Sequence, residues 1–88
     1  MNRLFLYRQQ IDIIDNKLII LIKKRMNFVK NIGAWKKKKN IKPLDHNRWK
    51  EVLESRISLG SKLGLKQNFI KKLYEIIHEE ALKIENEL

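Results

Sequence analysis

Cysteine is absent from this chain of 88 residues, which excludes a disulfide framework and any cysteine-based zinc site. Proline occurs once and glycine three times, so few positions can interrupt a helix. No stretch approaches the ~18 uninterrupted apolar residues of a membrane span, and no membrane partner is expected. The apolar stretch Leu4 to Tyr7 is too short for the core of a secretory signal, so a cytoplasmic location is expected. Acidic residues are scarce, 10 against 20 lysines and arginines, for a formal charge of +10. Such an excess calls for an anionic counterpart, whether nucleic acid, a membrane surface or a small anionic ligand.

What the chain does have is helical periodicity almost throughout, with no persistent strand alternation. The expected fold is all-α, with three helices in a single domain over residues 1–88. The first helix is predicted from about Arg3 to Lys39, ending within Asn40–Pro43 because Pro43 disfavours a helical Lys42. At ~1.5 Å per residue it would be roughly 50 Å long, too long for the rest of one small chain to cover. An intertwined helical homodimer is the simplest cover. Asp45 or Asn47 can cap a second helix, which carries Trp49, Val52, Leu53, Arg56 and Ile57 inward and ends near Gly60 or Gly64. Gly64 suits the left-handed position after the helix. The third helix is predicted from about Lys66 to Asn86. Its seam is Phe69, Ile70, Leu73, Ile76, Ile77, Ala81 and Ile84, edged by Tyr74 and Leu82.

One residue breaks the pattern of the long helix. Steps of four and three give Leu4, Tyr7, Ile11, Ile14, Leu18, Leu21, Arg25, Phe28, Ile32 and Trp35, an apolar stripe interrupted only by Arg25. A guanidinium on such a stripe needs an anionic partner. That partner is either an acid of the third helix, Glu80 or Glu85, or a ligand. Lys36 follows Arg25 by eleven residues, about 20° from the same azimuth, whereas Arg8 lies roughly 25 Å away along the axis. Arg8 and Arg25 of one chain therefore cannot grip one small ligand, but Arg8 of a partner chain can approach Arg25. Taken singly, Arg8, Lys36, Arg48 and Asp45 read as solvated or helix-end residues, and Trp49 and Trp35 as packing residues. Glu85 reads as an acid beside the seam. His78 and His46 offer no metal-ligand spacing, Ser55, Ser58 and Ser61 have no neighbouring base, and no cofactor is expected.

Together these residues resemble the all-helical, AroQ-type chorismate mutases. The resemblance runs through Tyr7–Asp15, Lys24–Gly33, Lys36, Pro43–Asp45, Arg48, Val52–Leu53, Gly64–Leu65 and Phe69–Glu79. It implies an intertwined dimer of three-helix chains with two active sites, each drawn from both chains. By resemblance, Arg8 of one protomer and Arg25 of the other hold the two carboxylates of chorismate. Lys36 contacts the enolpyruvyl ether oxygen with the Glu85 position opposite, while Asp45, Arg48, Trp49 and Ala81 fall at substrate-binding positions. The implied reaction, rearrangement of chorismate to prephenate, is unimolecular and needs no nucleophile, metal or general base.

Two departures from the family pattern bear on activity. The family usually has glutamine where Glu85 stands, and an ionised glutamate has no proton to donate. Glu85 is therefore expected to act protonated, with turnover rising as pH falls below neutral. Trp49 replaces a glutamate that accepts the ring hydroxyl of chorismate, and indole only donates. The stretch Pro43–Arg48 is also one residue shorter than usual. Isochorismate–pyruvate lyases of the same fold carry an apolar residue at the Trp49 position, which makes lyase activity the alternative; mutase action on the 4-amino analogue is another. Outside this class, a basic helical module that binds nucleic acid would explain the charge, but it gives no reason for Arg25 and no nucleic-acid partner is expected. A purely structural dimerisation helix with Arg25 satisfied internally is a further alternative.

Overall fold

The computed structural model describes residues 2–88. It holds three helices, α1 (Arg3–Lys38), α2 (His46–Lys62) and α3 (Gln67–Asn86), and no strand among the described residues. Asn2 caps α1 by accepting the Phe5 amide at 2.8 Å, and Asp45 caps α2 by accepting the Arg48 amide at 3.0 Å. Such side chains satisfy backbone N–H groups that have no intrahelical partner. α1 ends one residue before the predicted boundary; Lys39 is its C-cap and Asn40 takes a left-handed conformation with φ 57°. Gly64 adopts φ 84° after α2, as the sequence predicts.

α3 is the central element, packing against both α1 and α2. The packed face of α1 consists of Ile22, Arg25, Met26, Val29, Gly33 and Lys36, with Val29 and Gly33 buried. This corrects the expected face. Phe28, Ile32 and Trp35 are exposed in the protomer, because the packed face lies roughly 80° around the helix from the apolar stripe. Arg25 and Lys36 sit on the border between the two. In α3, Ile70 and Ala81 are buried, but Phe69, Leu73 and Ile76 of the predicted seam are exposed. The α2 prediction agrees better: Val52 is buried, and Trp49, Leu53, Arg56 and Ile57 are half-buried.

The protomer measures 58 × 24 × 14 Å with a radius of gyration of 16.4 Å, above the ~13 Å of a compact domain of 100 residues. The excess comes from α1. Every residue from Asn2 to Leu21 is exposed, including Leu4, Tyr7, Ile11, Ile14, Leu18 and Leu21.

Candidate functional site

The C-terminal half of α1, the start of α2 and the last turns of α3 enclose a cavity of about 350 Å³, within the ~300–1,000 Å³ typical of small-molecule pockets. α1 contributes Arg25 and Lys36, the connection from α1 to α2 contributes Asp45, α2 contributes Arg48 and Trp49, and α3 contributes His78, Ala81 and Glu85. Seven of the eight residues singled out from the sequence thus converge, all but Arg8. Arg8 lies exposed on the uncovered half of α1.

The electrostatics of the cavity turn on three groups. Lys36 Nζ lies 3.1 Å from Glu85 Oε1 and donates to the Pro43 carbonyl at 2.6 Å. An ammonium has three donors, so one remains for a ligand. Glu85 Oε1 is buried, and its approach to Lys36 is an ion pair without hydrogen-bond geometry. Arg25 Nη1 is buried with no hydrogen-bond partner among the described residues, and no ion pair there engages Arg25. The internal partners considered for Arg25, Glu80 and Glu85, therefore do not serve it. Glu85 is taken by Lys36. An unpaired guanidinium nitrogen beside a cavity is a ready receptor for a carboxylate.

Arg48 pairs with Glu51 on the exposed face of α2, while Asp45 Oδ1 is occupied in capping. Trp49 and His78 stack face to face, with ring centroids 3.9 Å apart and planes 7° from parallel. Burial, and then the Arg25 guanidinium, hold the His78 imidazole below its ordinary pKa; Lys36 adds to this and Glu85 opposes it. The unfolded chain therefore binds the His78 proton more readily than the folded one. The His78 contribution to stability is complete above about pH 6.5 and is lost as pH falls through the lower folded value. Urea unfolding should show a larger loss of stability from pH 7 to 5 in the wild type than in His78→Phe.

Gly33 is a close-packing position beside the site to which the sequence reading assigns no role. A Cβ there would stand 2.7 Å from Leu88 Cδ1, 2.9 Å from Glu85 Cγ and 3.1 Å from Glu85 Cα. The absence of a side chain lets α3 approach α1 closely enough to set Glu85 against Lys36. Gly33→Ala is expected to push α3 outward and lower turnover by up to about 10²-fold, the scale of a 1 Å misplacement in a catalytic site. Steady-state kinetics beside a far-UV spectrum would separate this from unfolding.

The sequence pattern described as chorismate mutase type II matches residues 7–86. The chain belongs to this family. It is 34% identical over 87 residues to the bifunctional chorismate mutase/prephenate dehydratase of Buchnera aphidicola subsp. Acyrthosiphon pisum, covering 99% of this chain and 23% of that protein. The enzyme of the same name from Buchnera aphidicola subsp. Schizaphis graminum is 36% identical over 87 residues, with the same coverage of 99% and 23%. That of Escherichia coli K12 is 28% identical over 81 residues, or 92% of this chain and 21% of the relative. The chain thus spans about a quarter of the length of these relatives. No helix among the described residues is long and apolar enough to cross a membrane.

Proposed function

We propose that this chorismate mutase family chain rearranges chorismate to prephenate as an intertwined homodimer with two shared sites. The observation that carries this reading is the convergence of Arg25, Lys36 and Glu85 from two helices on one cavity, with Arg25 Nη1 unpartnered among the described residues. Two carboxylates suit two forks; Arg25 is one, while Arg48 of the same cavity is paired with Glu51 and Arg56 donates to Ser55. Arg8 of the second protomer supplies the other. The exposed stripe of α1 gives the two chains a surface to share, since apolar area left in water is costly.

Within the site, the paired arginines hold the side chain over the ring in a reactive conformer. As the carbon–oxygen bond breaks, negative charge develops on the ether oxygen. The free donor of Lys36 meets it, in a site sheltered enough for such a contact to be strong. Glu85 approaches from α3 and contributes a second hydrogen bond only when it carries a proton. Glu85→Gln, whose amide donates without needing a proton from solvent, is expected to raise kcat at neutral pH. A kcat unchanged or lowered in Glu85→Gln would remove this position from the donor role.

Trp49 favours a second reading. Its indole lines the cavity and cannot accept a ring hydroxyl, which fits isochorismate–pyruvate lyase activity. Incubation of the pure protein with each substrate separates the two. Prephenate from chorismate supports the mutase, salicylate and pyruvate from isochorismate support the lyase, and consumption of neither rejects both. Location in the cytoplasm and a single domain over residues 1–88 belong to the same proposal.

A further inference from the structure

The Trp49–His78 stack is not explained by a clamp for carboxylates and an ether oxygen. The two rings come from different helices, lie 3.9 Å apart and are nearly parallel, and both line the cavity that holds Arg25, Lys36 and Glu85. Stacking fixes the plane of the imidazole and leaves its edge, which carries both nitrogens, as the part able to bond. No side-chain hydrogen bond among the described residues engages either nitrogen. Of the other acceptors lining the cavity, Glu85 faces Lys36 and Asp45 Oδ1 caps α2. Burial and the Arg25 guanidinium favour the neutral imidazole over the charged one, and the neutral ring has one donor and one acceptor nitrogen. Trp49 offers a donor alone.

We propose that His78, held flat by Trp49, determines specificity at the ring side of the pocket by accepting a hydrogen bond from the substrate's ring hydroxyl. This rests on the chorismate reading above. His78 thereby supplies the acceptor that Trp49 lacks, and the stack sets the direction of the accepting nitrogen. A ring without the hydroxyl, or with it placed elsewhere, forgoes that bond. A site built to bond a hydroxyl discriminates against the analogue lacking it.

The test compares the wild type with His78→Phe, which keeps a flat ring against Trp49 and removes both nitrogens. The substrates are chorismate and the analogue lacking its ring hydroxyl. His78→Phe should lower kcat/KM for chorismate by about 10- to 100-fold through the unsatisfied hydroxyl, and leave kcat/KM for the analogue as in the wild type. Nitrogen-15 spectra of the wild-type His78 ring should show the acceptor nitrogen shifting with chorismate and not with the analogue. Equal losses on both substrates, or an unmoved nitrogen with chorismate bound, would overturn the proposal. If chorismate binds and moves the nitrogen without forming prephenate, the mutase reading fails while the role of His78 stands. If prephenate forms and His78→Phe is fully active, the reverse holds. Absence of any chorismate binding would reject both.

Discussion

Replacing Arg25 by alanine is expected to lower kcat/KM for chorismate by about 10²- to 10³-fold without destabilising the protein. The first half follows from the strength of an arginine–carboxylate contact in a partly buried site, where truncating one partner costs ~2–5 kcal/mol. The second half follows from the geometry of the ligand-free chain. Arg25 Nη1 has no hydrogen-bond partner and Arg25 no ion pair among the described residues, so its removal orphans no buried acid. It relieves the desolvation of a lone charge instead, and stability should hold or rise. A structural arginine behaves in the opposite way, because breaking an internal pair leaves an uncompensated charge. Urea unfolding beside steady-state kinetics distinguishes the two: unchanged or raised stability with lost turnover marks a substrate clamp.

Lys36→Ala should be costly on both counts. Loss of a donor aimed at developing oxyanion charge typically lowers kcat by ~10²–10³. Here the same ammonium also offsets Glu85 at 3.1 Å and ties down the Pro43 carbonyl. Without it, Glu85 is left in a site where its side chain is only 8% exposed, and a loss of about 1–3 kcal/mol in stability follows. Adding Glu85→Gln removes the stranded charge. The double variant should recover most of the stability and little of the turnover, as measured by urea midpoints and kcat. Recovery of turnover together with stability would mean that Lys36 acts only by holding the helices in place.

Much of this arrangement is legible in the sequence because helical geometry is nearly deterministic. Arg25 and Lys36, eleven residues apart, line one cavity as their shared azimuth requires. Asp45, Pro43 and Gly64 mark the ends of the helices through local chemistry that needs no tertiary contact. The packed face of α1 is less legible. Two adjacent faces of that helix are apolar, and periodicity cannot say which one meets α3 in the same chain and which is left exposed. Val29 and Gly33 occupy the packed one, leaving Phe28, Ile32 and Trp35 exposed. The role of Gly33 depends on the distance between α1 and α3. The Trp49–His78 stack depends on how α2 and α3 dock. Both are products of packing, and a lone histidine on a helix gives no sign of the indole it meets. Arg8 is the complement of this case: its distance along the helix from Arg25 already rules out a single-chain clamp.

That distance also supplies the most direct test of the shared site. Arg8→Ala and Arg25→Ala homodimers should each be nearly inactive on chorismate. When the two are mixed and allowed to exchange subunits, each mixed dimer regains one intact site, with Arg25 from one chain and Arg8 from the other. Because random exchange yields half mixed dimers with one of two sites restored, activity should recover to about a quarter of the wild type. A mixture no more active than its two components would contradict a clamp drawn from two chains.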